Sequence, residues 1–227
     1  MEKGILSEYD ELDIDDFLQK IEKSYNIDMK NDEIQIETIG QFIDYIFSKL
    51  TSKKYSNKEE CSSQYIFYNL REIISENRIF SREKLSTKTK LDIIFPIIKR
   101  KKQILLLEQK IGFKINALTT PLFYNLLLML TIIVTILSIF INIFSSTFMW
   151  SSFLFSSVLI CLSNPLTIVF KDKTIGELTK RIERENYIDS QKNKNTYNKK
   201  EVEKNITDLF IDYFDLQKSN INRETKL

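Results

Sequence analysis

From Pro121 to Phe170 the chain carries no Asp, Glu, Lys or Arg. A helix needs about 20 apolar residues to cross a bilayer core of about 30 Å. The run therefore holds two membrane spans, Leu122 to Ile143 and Phe148 to about Phe170. The turn between them falls at Ser145, Ser146 and Thr147. Pro121 suits the first helical turn, where its missing N–H leaves no donor unpaired. Trp150 falls where an interfacial indole is expected. The alternative is a hairpin buried in a soluble domain, but a soluble core rarely needs so long an uncharged run. Arg100, Lys101, Lys102, Lys110 and Lys114 precede the run, and Lys171, Lys173, Lys180 and Arg181 follow it. Cationic flanks mark the cytoplasmic side. The expected topology is a two-pass protein of the inner, cytoplasmic membrane with both termini in the cytoplasm.

The formal net charge of +2 conceals a split. Met1–Leu50 is strongly acidic and Thr51–Thr120 strongly basic. The acidic part suits a cytoplasmic protein partner with a basic surface. The basic part suits that acidic half or anionic lipid headgroups. Its position against a membrane span argues against nucleic acid. The two cysteines, Cys61 and Cys161, are placed in the cytoplasm and inside the second span, so no disulfide is expected. The acidic N-terminus has no apolar segment of the kind a cleavable signal needs, so the hairpin serves as its own insertion signal.

Hydrophobic spacing predicts the remaining helices. Asp13 to Tyr25 places Ile14, Phe17, Leu18, Ile21 and Tyr25 on one face, and Asn26 ends it. Thr38 with Gln41 forms a capping box for a helix burying Ile39, Phe42, Ile43, Ile46, Phe47 and Leu50. Gln64–Glu76 carries Ile66, Leu70, Ile73 and Ile74. Ile97–Ile111 is helical, with Ile104, Leu105, Leu107 and Ile111 available for burial, and stops at Gly112. Thr174 caps a helix to about Glu185. Lys199 or Lys200 to Leu216 carries Val202, Ile206, Leu209, Phe210 and Tyr213. Thr51–Glu60 and Tyr187–Asn198 read as polar linkers, and Asn77–Leu91 as a long polar connection. Ser219–Leu227 reads as a polar tail.

An internal repeat orders these helices. Thr38-Ile39-Gly40-Gln41-Phe42 recurs as Thr174-Ile175-Gly176-Glu177-Leu178. Lys23–Ile27 matches Gln109–Phe113 as a helix end. Leu85–Leu91, with its Thr89-Lys90-Leu91, matches Ile221–Leu227, with Thr225-Lys226-Leu227. One unit is then continuous, with the uncharged run inserted before its last helix. The other is split, beginning at the C-terminus and ending at the N-terminus. Termini that lie close together permit such a permutation.

The repeated unit resembles the acyl carrier protein fold. Thr38-Ile39-Gly40-Gln41-Phe42-Ile43-Asp44-Tyr45-Ile46 looks like the last carrier helix, and Asp13–Ile27 like the second helix and its stop. Cys61-Ser62-Ser63-Gln64-Tyr65-Ile66-Phe67-Tyr68-Asn69-Leu70-Arg71 looks like a motif of uncharacterised bacterial carrier-like proteins with a membrane hairpin. The resemblance implies an all-α chain: two acyl-carrier-like bundles, one circularly permuted across the termini, plus a two-helix transmembrane hairpin. Residues 1–50 are completed by 199–227, residues 61–120 and 171–186 form the second bundle, and 121–170 form the hairpin. Carriers bear phosphopantetheine on a serine at the start of the second helix. That position falls within Glu11–Ile14 and holds no serine; Phe95–Leu105 holds none either, and Ser7 lies outside the motif. No cofactor is expected.

Other chemistry is sparse. There is no histidine, which removes the usual general base and metal ligand. The glycines form no phosphate loop. The acidic run Glu8, Asp10, Glu11, Asp13, Asp15, Asp16 lacks the glycine turn and distal Glu of a calcium loop. It reads as a solvated helix start favoured by the helix dipole. Asn125, Asn142 and Asn164 suit hydrogen bonds across a membrane helix pair. The expected function is non-catalytic: a membrane-anchored docking or scaffold module for cytoplasmic lipid or polyketide-type enzymes. Its docking residues are Asp10, Glu11, Asp13, Asp15, Asp16 and Glu22. The alternative is a small membrane effector or transport accessory whose hairpins form a homo-oligomer; the uncharged spans argue against a conducting path.

Overall fold

The computed structural model describes residues 4–29, 36–50, 54–55, 62–141, 154, 157–158, 168–192, 196–217, 219 and 221–227. Cys61, Asn142, the turn at Ser145–Thr147, Trp150, Cys161, Asn164 and most of the expected second span lie outside these residues. The chain is predominantly helical. It divides into two compact units, Met1–Asn69 with Thr179–Leu227, and Leu70–Leu178.

In the first unit, helix α1 (Glu11–Tyr25) begins earlier than its apolar spacing predicts, because Asp10 caps it by accepting from the Asp13 N–H at 2.8 Å. It ends at Asn26 in the left-handed conformation, φ 51°, which asparagine tolerates better than most residues. Helix α2 (Ile39–Lys49) starts on the expected capping box of Thr38 and Gln41. Helix α3 (Ser62–Glu76) runs on into the second unit.

Three further helices belong to the later part of the chain: α7 (Ile175–Glu185), α8 (Tyr187–Ser190) and α9 (Lys199–Tyr213). The Asn198 side chain caps α9, accepting from the Lys200 N–H at 2.9 Å. The apolar faces of α1, α2 and α9 meet in one core. Phe17 sits at its centre, with ring centroids 4.5 Å from Phe210, 5.0 Å from Phe214 and 6.3 Å from Phe42. Full burial of a Phe side chain stabilises by about 1.5–3 kcal/mol, so each of these rings contributes a sizeable share of the core.

The two expected linkers are not free chain. Strand β1 (Lys54–Tyr55) pairs in parallel with β4 (Thr196–Tyr197). Tyr187 and Ile188, expected in a linker, are buried in the core. Buried Ser24 fixes this corner: its hydroxyl donates to the Arg184 carbonyl at 2.5 Å and accepts from the Tyr187 N–H at 3.2 Å. Polar composition missed these residues because a few apolar side chains suffice to dock a short segment.

The stretch that reads as a polar tail is also paired. Thr38 bridges Lys226 in antiparallel register. The Ile39 and Gly40 N–H groups donate to the Thr225 and Arg223 carbonyls at 3.0 and 2.8 Å, and the Leu227 N–H donates to the Glu37 carbonyl at 2.9 Å. The Ile5 N–H reaches the Lys226 carbonyl at 3.0 Å. Gly4 lies so close to Leu227 that a Cβ there would strike its carbonyl oxygen. The first and last described residues therefore meet at one point.

The second unit contains α4 (Leu91–Ile94), α5 (Arg100–Ile111) and α6 (Leu122–Ile141). It repeats the terminal pairing bond for bond. Lys90 bridges Thr174. The Ile175 and Gly176 N–H groups donate to the Thr89 and Thr87 carbonyls, and the Leu91 N–H to the Lys173 carbonyl. Thr225 and Thr89 accept equivalent bonds from the Asn222 and Ser86 N–H groups, both at 2.9 Å. Helix α5 starts at Arg100 rather than Ile97, after a turn in which the Lys99 N–H donates to the Pro96 carbonyl at 3.0 Å. Helix α4 stops at Ile94 for a separate reason. Phe95 precedes Pro96 and is held out of helical geometry at ψ 88°, as the proline ring requires of its predecessor.

Strands β2 (Leu118–Thr119) and β3 (Val169–Phe170) pair antiparallel, Leu118 with Phe170 and Thr119 with Val169. This ladder holds the two ends of the uncharged run side by side. Helix α6 has 20 residues of backbone without a charge, but at 128, 135 and 137–141 only the backbone is described. Among the residues described in full, no helix is long and apolar enough to cross a membrane.

Candidate functional site

Helices α1 and α5 occupy equivalent places in the repeat, and their stops align them. Asn26 and Gly112 both adopt positive φ, and their N–H groups donate to the Glu22 and Glu108 carbonyls. The Glu22 carboxylate accepts from the Met29 N–H at 2.8 Å, and the Glu108 carboxylate from the Ile115 N–H at 2.9 Å. Counting back from these stops, Asp13, Asp15 and Asp16 stand where Lys99, Lys101 and Lys102 stand. Leu12 stands where Ile98 stands. All eight side chains are exposed, with Leu12 at 76% and Ile98 at 81%. Both positions thus carry an exposed apolar residue among charges of opposite sign, but Leu12 lies within the first turn of α1, whereas Ile98 precedes Lys99, the N-cap of α5.

The charges differ in their local cost. Carboxylates at a helix N-terminus are favoured by the macrodipole, and cations there are disfavoured, each by about 0.3–1 kcal/mol. The acidic start of α1 is therefore self-consistent. Its field reaches Tyr213, whose phenol is pushed up by desolvation and then by Asp16, Asp13 and Asp10. The Lys20 ammonium lies 4.3 Å from the centre of that ring. The first turn of α5 has no acidic residue at all, so its lysines are not explained by helix stability.

The expected docking residues divide by role. Asp10 is occupied as the cap of α1, while Glu11, Asp13, Asp15 and Asp16 are exposed. Glu22 is half-buried and its carboxylate holds the following loop. Asp15, Glu22, Leu18, Gln19 and Met29 line a shallow groove of ≈ 360 Å³. Glu11, Leu12, Asp13 and Ile14 present no hydroxyl. The Ser7 hydroxyl donates to the Gly4 carbonyl at 2.7 Å. Among the described residues, no group of acidic or cysteine side chains is arranged to hold a metal ion.

A second groove, of ≈ 410 Å³, lies at the start of α5 and is lined by Ile97, Ile98, Arg100, Lys101, Lys102, Leu105 and Ile168. By its position Arg100 is one of the cations that flank the uncharged run, which are usually solvated. It is instead 5% exposed. Its guanidinium donates to the Ile168 carbonyl at 2.7 Å and the Phe95 carbonyl at 3.3 Å, and pairs with Asp92. It also lies 4.5 Å from the Phe170 ring centre. Arg100 thus fastens the chain where it leaves the uncharged run. The groove went unpredicted, although the inverted charges at equal distance from Asn26 and Gly112 were present in the sequence.

Asn125 is exposed on α6. Leu122, Phe123, Leu126, Met129, Leu130, Ile132 and Ile133 on the same helix are exposed as well. Contiguous exposed apolar side chains of this kind mark an interaction or membrane surface. No family model matches the chain, and neither a curated protein nor a solved structure matches it.

Proposed function

We propose that this protein is a membrane-anchored, acyl-carrier-like docking module without carrier chemistry. The uncharged run 121–170 crosses the bilayer as a hairpin, with both termini cytoplasmic. Residues 1–50 with 199–227 form one carrier-like bundle, permuted across the termini. Residues 61–120 with 171–186 form the other. The acidic start of α1, at Glu11, Asp13, Asp15 and Asp16, receives a basic cytoplasmic protein.

The observation that carries this reading is the start of α1 itself. It presents exposed carboxylates around an exposed Leu12, and no serine at the position where a carrier is modified. An apolar tip within a charged rim is the usual composition of a docking surface. The matched hydrogen bonds of Gly40 and Gly176 support the duplication, and the β2–β3 ladder supports a hairpin whose ends emerge together.

Two measurements test it. Incubation with a phosphopantetheinyl transferase and coenzyme A should add no mass; a gain of one phosphopantetheine group would return the protein to the carriers. A photo-crosslinker at Leu12 should capture a basic protein in cells, and Asp15→Lys with Asp16→Lys should abolish capture. Capture that ignores both reversals would refute the acidic docking face.

A further inference from the structure

The start of α5 combines three features. Ile98 is exposed at 81%, and Leu105, which the spacing offers for burial, is exposed at 54% because only Ile104 and Leu107 of that stripe turn fully inward. Lys99, Lys101 and Lys102 surround them, all exposed. Ile168, the last residue before β3, lines the same groove, so the apolar surface is continuous with the uncharged run. The lysines sit at the positive end of a helix dipole, where an external anion relieves them.

We infer that this face of the second unit lies on an anionic lipid surface, with Ile98 and Leu105 in the acyl boundary and the lysines on headgroup phosphates. Amphipathic segments bind bilayers in this way, by apolar burial plus attraction to anionic lipid. Lipid is favoured over a protein occupant because the groove adjoins the point where the chain enters and leaves the proposed membrane segment. The corresponding stretch of α1 carries an exposed Leu12 among carboxylates, and serves as the charge-reversed internal control. The inference rests on the anchor reading above, so the test reports on both.

The full chain, with Cys61 and Cys161 replaced by Ser, is spin-labelled singly at Ile98→Cys, Leu12→Cys or Leu130→Cys. It is placed in phosphatidylcholine nanodiscs with or without phosphatidylglycerol, and accessibility to oxygen and to a water-soluble nickel chelate is measured. The Ile98 label should be shielded from nickel several-fold more in the anionic discs, and the Leu12 label should stay in water in both. Lys101→Gln with Lys102→Gln should lower the ratio of immersed to free Ile98 label by roughly 30-fold, at about fivefold per lysine. An Ile98 label in water on both lipids, with Leu130 in lipid, overturns the inference and leaves the anchor standing. Leu130 in water on both lipids overturns the anchor, and the Ile98 label then still decides whether the face binds anionic lipid. Shielding of Ile98 that rises with protein concentration in lipid-free detergent assigns the face to a second copy's acidic α1 and overturns lipid as its occupant.

Discussion

Phe210→Ala should release helices that lie far from it in sequence. Phe210 is 1% exposed and its ring meets Phe17 at 4.5 Å, Phe42 at 5.5 Å and Phe214 at 6.0 Å. These partners belong to α1, to α2 and to the end of α9. Truncating a buried Phe costs about 3–5 kcal/mol, including the cavity it leaves. Domain stability is about 5–15 kcal/mol, so the loss removes a large fraction of what holds the first unit. At about 1.4 kcal/mol per tenfold, amide protection in α1 and α2 should fall by roughly 100- to 4,000-fold. Amides around Ile104 and Leu107 of α5 belong to the other compact unit and should change far less. Hydrogen exchange by mass spectrometry resolves the segments directly. Unchanged protection across Phe17–Tyr25 and Phe42–Ile46 would show that α9 does not complete that core.

Three further outcomes follow from single contacts. A Cβ at Gly40 or Gly176 would stand 2.8 or 2.7 Å from the Arg223 or Thr87 carbonyl oxygen. Gly40→Ala and Gly176→Ala should therefore each cost about 1–3 kcal/mol, read as a lower urea midpoint; no shift in either would refute the close backbone approach. Arg100→Met should cost about 1.5–3 kcal/mol, the range for hydrogen bonds to a charged group, and should unprotect the Lys171 amide, which donates across the ladder to the Ala117 carbonyl at 3.1 Å. Desolvation raises the Glu183 carboxyl above 4.5, against the hydrogen bonds from Ser63 that lower it. A raised folded value favours the protonated form. Its stabilising contribution is full below 4.5 and is lost as pH rises through the folded value. Glu183→Gln should flatten that decline in urea midpoint, and an unchanged pH slope would refute the burial argument.

Much of the architecture was legible because local rules suffice for it. The capping box at Thr38 and Gln41, the stop at Gly112 and the apolar stripe of α9 depend on neighbours within a few residues, and all three stand as read. The repeat was legible for a related reason: Gly40 and Gly176 admit a close backbone approach, and the Thr225 and Thr89 hydroxyls accept from a nearby N–H, so those residue types recur. What lay beyond reach were the features whose distant partner no repeat announces. Nothing near Tyr187 says that Ser24 will hold it, nor anything near Lys54 that Thr196 will pair with it. Arg100 reads as one more solvated cation until the Ile168 carbonyl and Phe170 ring are brought to it. The sequence by itself determined the helices, their ends and the charge each carries, because hydrogen-bond register and hydrophobic period are short-range. Only the tertiary structure decided which polar segments are docked and which cation is buried, because burial is set by what arrives from elsewhere in the chain.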